Sequence, residues 1–330
     1  LTNTNAKIDS VRLGAMDIDT GTRGILSLDD YESRRYSNIG LLPDTGGQDI
    51  SYFTPYEVGN RYYNYDRQTH PHAVASMHIL QLENYPDIYN SYEYDANGNM
   101  TCRIEEEQTY LQTYNAENRL SGIATVSGDC YDPGSIEKTW LYTYDGDGVK
   151  AKQEYSDGSI VQTTYYYAGG AYEVETDGTN ESVRQYYTLS GAVIAMRADS
   201  TFTYFLADHL GSVVGVTDAN GALLSETRYM PFGEVRTDVG TVTETDYGFT
   251  FQRVVTGSGL MDYRARYYDP YLNRFIQPDT IVSDPGSSQG YNRYSYANNN
   301  PINYVDPSGH KATVCSPGDA CGGQYMTGPG

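Results

Sequence analysis

The sequence predicts an all-β protein made of antiparallel hairpins, and three observations carry the prediction. A Tyr-Asp or Tyr-Asn pair recurs, in Tyr65-Asp66, Tyr94-Asp95, Tyr114-Asn115 and Tyr144-Asp145. Turn formers follow, with Asn97-Gly98 and Asn220-Gly221 as the best two-residue hairpin signals. Hydrophobic residues make up only 38% of 330, and Tyr supplies 35 of them, against seven Phe and one Trp. Packing must therefore use Tyr rings, whose hydroxyls need partners of their own. A thin, extended sheet with a largely hydrated concave face is expected, not one dry aliphatic core.

Residues 1–60 read as an irregular lead-in with short strand-like runs at 11–16 and 24–28, and as part of a longer chain. From residue 60 to 203 the Tyr-Asp units follow one another, 20 residues apart between Tyr94 and Tyr114 and nearer 30 elsewhere. In each unit a Tyr-bearing strand ends in an Asp/Asn-Gly turn and a second strand returns. One hairpin cannot bury its faces, so the units must stack into a continuous sheet. Alternation continues at 163–167, 186–189, 192–196, 203–206, 213–217 and 223–229. Residues 72–82 form the one arguable helical stretch.

The stretch 249–309 has no clean periodicity. It is punctuated by Gly257-Ser258-Gly259, Asp269-Pro270, Pro278-Asp279, Asn300-Pro301 and Asp306-Pro307-Ser308-Gly309, all turn formers. A segment so rich in turns, aromatics and paired charges must be held by contacts to something else. Its Tyr263, Tyr267, Tyr268, Phe275, Tyr294 and Tyr304 are expected to pack on the preceding strands as a plug.

Here the chain resembles a known superfamily. Arg266-Tyr267-Tyr268-Asp269-Pro270, Arg274-Phe275, Pro278-Asp279 and the run 299–309 match, in order, the core region that closes Rhs/YD-repeat proteins. These include bacterial polymorphic toxins, the C subunits of Tc toxin complexes and the animal teneurins. The blocks 205–213, 217–221 and 229–234 match the entry to the same region, which spans 204–310 here. The resemblance implies that the strands form a spiralling sheet, part of a hollow shell, closed at one end by the core region. Residues 311–330 are then a Gly/Pro-rich tail or the start of a variable C-terminal region.

Net charge is −21, which disfavours nucleic acid as a partner of this region. No run is long and apolar enough to cross a membrane. Four cysteines, Cys102, Cys130, Cys315 and Cys321, are too few for a disulfide scaffold and lack zinc spacing; Cys315 and Cys321 could bridge locally. No metal or cofactor is expected. Asp95-Ala-Asn97-Gly98-Asn99 and Asp145-Gly-Asp147-Gly148 resemble calcium-loop fragments but lack the twelfth-position Glu, so hairpin turns explain them better. Asp208, His209 and Ser212 lie too close along one strand to assemble a triad.

The chemistry the resemblance implies lies at the C-terminal end. Two adjacent carboxyls can share a proton, leaving one as base for water and one as acid for the scissile amide. By position, the family's self-cleavage residues are Arg266, Asp279 and Asp306, with the cut after His310. This would be an aspartyl-type autoprotease acting only on its own chain. His310 stands where the toxin pattern has Leu, and Thr280 where Pro often follows the Asp. Seated in an apolar pocket, a Leu in place of His310 should speed cutting. The alternative is that Arg266, Asp279 and Asp306 form a buried structural ion network.

Two functions follow from the resemblance. The favoured one is the shell of a secreted or cell-surface bacterial Rhs-type protein. Its partners would be its own upstream repeats, a C-terminal effector or cargo and a secretion or surface factor. The other is a non-enzymatic structural or adhesion protein of the same build.

Overall fold

The computed structural model describes residues 61–65, 69–80, 86–189, 192–236, 239–282, 285–286 and 288–315. The strand-like runs expected at 11–16 and 24–28 lie outside the described residues. Fifteen strands, from Arg61–Tyr65 to Leu223–Glu226, make one antiparallel sheet in strictly sequential order, not closed into a barrel. A four-stranded sheet, Arg253–Val255, Leu260–Asp262, Tyr267–Asp269 and Arg274–Phe275, follows it. The helical elements among the described residues are short 3-10 turns, and no helix there is long and apolar enough to span a membrane.

Two local expectations need correction. Residues 72–82 are not helical: Val74–Ile79 is a strand. Its pairing skips Ala75, since Tyr65 faces Val74 and Asn64 faces Ser76. A bulge of this kind breaks the two-residue alternation and spaces the apolar residues as a helix would. The hairpin turns are also wider than two residues. Asp95 Oδ1 accepts the amides of Asn97 (2.8 Å) and Asn99 (2.9 Å), and Gly98 takes φ 87°. The same two amide bonds form at Asn115, Asp145, Asp208 and Asp218. The acid of the Tyr-Asp pair thus organises the turn, and the later Gly supplies the left-handed residue.

The Tyr of three of these pairs, and Tyr229 outside them, has a separate task. Tyr94 donates its hydroxyl to the carbonyl of Val74 (2.9 Å), Tyr114 to Met100 (2.8 Å), Tyr144 to Leu120 (2.6 Å) and Tyr229 to Val213 (3.1 Å). Each acceptor is the first residue of the neighbouring strand in the sheet. A ring can thus pack on the sheet while its polar tip caps a strand end, a role that Phe cannot fill.

The expected hydrated concave face is, over much of these strands, covered by the C-terminal region. Val74, Met77, Met100, Leu120, Trp140 and Tyr142 of the sheet bury against Val255, Leu260, Tyr267, Leu272 and Ile276. Farther along, Tyr186, Val193, Met196, Val213 and Val216 bury against Tyr247 and Phe251. The C-terminal region has a third cluster, with Tyr263, Tyr268, Phe275 and Tyr296 around Leu210 and Phe232. Its six predicted plug aromatics are buried, except Tyr304, which is half-buried.

Charges also cross this contact. Arg103, from the strand Met100–Glu105, pairs through Nη1 with Glu105 (2.7 Å) and with Asp269 of the plug (3.0 Å). Its Nη2 donates to the Ser258 carbonyl. Lys150 meets Asp262 at 2.7 Å and Arg61 meets Glu234 at 2.9 Å. Burial, reinforced by Asp269, pushes the Glu105 carboxyl up to about 8, against the pull of Arg103.

The folded chain therefore holds the Glu105 proton more tightly than the unfolded one. Its stabilising contribution is complete below the unfolded value of 4.5 and is lost as pH rises through 8. Between about pH 5 and pH 9 the wild type should lose more thermal stability than Glu105→Gln, which keeps an acceptor for Arg103. In the sheet, Tyr114→Phe should cost about 1 kcal/mol in denaturant unfolding, while Tyr165→Phe on the exposed face should change stability by less than about 0.5 kcal/mol.

Candidate functional site

Arg266, Asp279 and Asp306, separated along the chain, meet in the plug beside His310. A tight turn after Leu260–Asp262 aims the arginine: the Tyr263 amide donates to the Arg266 carbonyl (3.0 Å), and the Arg264 amide to Asp262 (2.7 Å). Arg266 is buried, with its guanidinium carbon 3.7 Å from the centre of the Phe275 ring. Its Nη1 donates to the Arg293 carbonyl (2.8 Å), and its Nε to the Gly309 carbonyl. Its Nη2 is shared, at 3.0 Å from Asp279 Oδ2 and 3.4 Å from Asp306 Oδ2. One guanidinium nitrogen thus holds both carboxylates. Burial lowers the arginine's pKa, opposed by Asp279 and then Asp306.

Asp306 folds its own loop around itself. Its Oδ1 accepts the amides of Ser308 (3.3 Å), Gly309 (2.8 Å), His310 (3.1 Å) and Lys311 (3.1 Å). Gly309 makes this possible, with φ 77°; a Cβ there would lie 2.5 Å from the Tyr263 carbonyl oxygen. Burial raises the Asp306 carboxyl above its ordinary value, against the pull of Arg266 and the loop amides.

Asp279 is placed by the backbone of 293. Its amide donates to the Arg293 carbonyl at 2.8 Å, the same oxygen that Arg266 Nη1 uses. Its Oδ1 takes the Ile281 amide (3.0 Å) and lies 2.8 Å from His310 Nδ1. A cavity of about 20 Å³ opens among Arg266, Asp279, Asp306 and His310, large enough for one water. The arrangement puts two carboxylates of different surroundings on one guanidinium nitrogen, with the Lys311 amide nitrogen against Asp306 and the His310 ring against Asp279.

Other candidates do not assemble. Asp208 caps its own turn, Ser212 Oγ accepts the Thr250 amide at 3.0 Å, and His209 Nε2 lies 3.3 Å from the Ile302 carbonyl. Asp95 and Asp145 bind turn amides, as expected of hairpins. Among the described residues no group of three or more His, Cys, Asp or Glu side chains is placed to hold a metal.

Three features escaped the sequence reading. The Cys102–Cys130 disulfide ties the strand Met100–Glu105 to a later loop, whereas the sequence suggests a bridge from Cys315, which is disulfide-bonded, to Cys321, which lies outside the described residues. Arg103 and Glu105, two apart on one strand and hence on one face, were a readable sign of an inward-facing pair. The His310–Asp279 contact had no sequence signal beyond an imidazole where an aliphatic residue was expected.

Comparison with known proteins places this geometry in context. A family model described as the teneurin YD-shell matches residues 175–302. The tRNA3(Ser)-specific nuclease WapA of Bacillus spizizenii is 29% identical over 242 residues, 72% of this chain and 10% of that protein. The double-stranded DNA deaminase toxin A of Burkholderia cenocepacia is 32% identical over 244 residues, 66% of this chain and 17% of that protein. A solved TcdB2–TccC3–TEV structure superposes with a TM-score of 0.55 at 19% identity, over 76% of this chain and 13% of its own, a likeness of fold. The chain spans about a tenth of the length of the first curated relatives it matches.

Removing the shared cation should expose how the site is balanced. Arg266→Met leaves two buried carboxylates uncompensated and should cost about 3–5 kcal/mol, read as a fall in thermal midpoint. Adding Asp279→Asn to that variant should recover part of the loss.

Proposed function

The chain belongs to the Rhs/YD-repeat superfamily, and from that premise we propose that it is part of the shell of a secreted Rhs-type protein, which encloses a C-terminal effector and cuts itself after His310. The observation that carries the cutting is the seat of the Lys311 amide nitrogen, 3.1 Å from Asp306 Oδ1, with Asp279 across the same small cavity. Relatives named as a nuclease and as a deaminase toxin support an effector beyond the shell. The Cys102–Cys130 disulfide supports an oxidising, extracytoplasmic destination.

In the proposed reaction Asp279 takes a proton from water, and the water oxygen attacks the His310 carbonyl carbon. Attack makes the Lys311 nitrogen tetrahedral and frees its lone pair, to which the protonated Asp306 carboxyl, raised by burial, gives its proton as the carbon–nitrogen bond breaks. The products are a His310 carboxylic acid and a Lys311 amine, between which a proton passes to give carboxylate and ammonium. The proton taken up by Asp279 returns to Asp306 through solvent. Arg266 holds both acids at fixed positions and pins the Gly309 carbonyl just before the cut, so the reacting groups need little rearrangement. The match to the teneurin YD-shell favours a second reading, a shell of the same build with no cutting, in which Arg266 serves only to neutralise buried acids.

Intact-mass measurement separates the two. The wild-type chain should yield a product ending at His310, while Asp279→Asn and Asp306→Asn should each leave the chain whole. One undivided mass for all three would leave only the non-cutting shell.

A further inference from the structure

We infer that His310 is a positioning residue for the cut, its ring nitrogen holding the carboxylate of Asp279. The inference rests on the self-cutting reading above. A carboxylate only accepts hydrogen bonds, so at 2.8 Å from Asp279 Oδ1 the Nδ1 of His310 carries the proton. Two other donors reach the same carboxylate, the Ile281 amide on Oδ1 and Arg266 Nη2 on Oδ2. Three donors from three directions fix the plane in which Asp279 would meet a water. His310 is the donor contributed by the peptide being cut. Its backbone is held as well, through its amide to Asp306 Oδ1 at 3.1 Å.

The surroundings match an imidazole better than an aliphatic chain. Besides the two acids and Arg266, the cavity beside His310 is lined by the polar side chains of Gln289, Asn292, Ser295 and Asn298, with Ile281 and two alanines as its apolar members. The imidazole is about one-third exposed and Asp279 almost enclosed, at 35% and 6%. A leucine in place of His310 would remove one donor from Asp279 and set methyl groups against polar atoms. On this inference leucine is expected to slow the cut, the opposite of what the toxin pattern implies.

The test follows the full chain made in a timed cell-free synthesis, with the fraction ending at residue 310 read by mass. Asn places its side-chain amide nitrogen near the position of Nδ1, so His310→Asn should cut at close to the wild-type rate. His310→Leu should cut roughly 10- to 100-fold more slowly, the scale expected when a reacting group loses its alignment. Thermal midpoints of both should stay near that of the wild type, since the side chain is partly in solvent. If His310→Leu cuts as fast as the wild type or faster, or if His310→Asn is as slow as His310→Leu, the positioning role is wrong while self-cutting stands. If the wild type, like Asp279→Asn, stays whole, the self-cutting reading falls and takes this role with it.

Discussion

A tyrosine hydroxyl crossing to the carbonyl that opens the neighbouring strand is the constraint on which this structure depends. At Tyr94, Tyr114 and Tyr144 the bond joins two strands at their ends and gives a donor to the carbonyl of a buried residue. It recurs at Tyr94, Tyr114, Tyr144 and Tyr229 with the same partner position. At Tyr94, Tyr114 and Tyr144 the Asp or Asn that follows closes the turn, so there a two-residue signature specifies both the strand end and the loop that follows it. A chain poor in aliphatic residues can in this way define a fifteen-stranded sheet. Register is set locally at each turn, while burial comes from a separate segment laid over the face.

That segment is held by apolar contact and placed by charge. Arg103 with Asp269, Lys150 with Asp262 and Arg61 with Glu234 each join the sheet to a later part of the chain. Arg253 reaches back to Glu173 in the same way. In a chain with 22 basic and 43 acidic residues, several of the scarce cations are committed inside. Buried pairs of this sort add little net stability, but a misplaced plug would strand a charge in each. They act as a docking code. The Arg266 cluster uses the same chemistry within the plug, where one guanidinium nitrogen holds two acids.

Much of the sheet was legible because Tyr-Asp pairs and alternation report directly on strand ends and faces. What was misread has a physical cause in each case. At Val74–Ile79 a bulge at Ala75 imitates helical spacing. At Asn97-Gly98 the pair looks like a two-residue turn, but the carboxylate two positions earlier claims the loop amides and widens it. The hydrated face was inferred from composition, which cannot report that residues 249–276 return to cover it. Of the site, family resemblance supplied Arg266, Asp279 and Asp306. Their joint hold on one nitrogen and the bond from His310 are tertiary facts without a local signature.

The strictly sequential order of the fifteen strands bears on how the protein is born. As the chain leaves the ribosome, each new strand finds its partner already in place, and the sheet can lengthen vectorially from its first hairpin. The plug cannot dock until residues far along the chain have emerged, because Arg103 waits for Asp269 and Arg61 for Glu234. Asp306 and the loop it gathers emerge later still. Synthesis itself thus acts as a clock, assembling the acid pair only after the walls around it are standing.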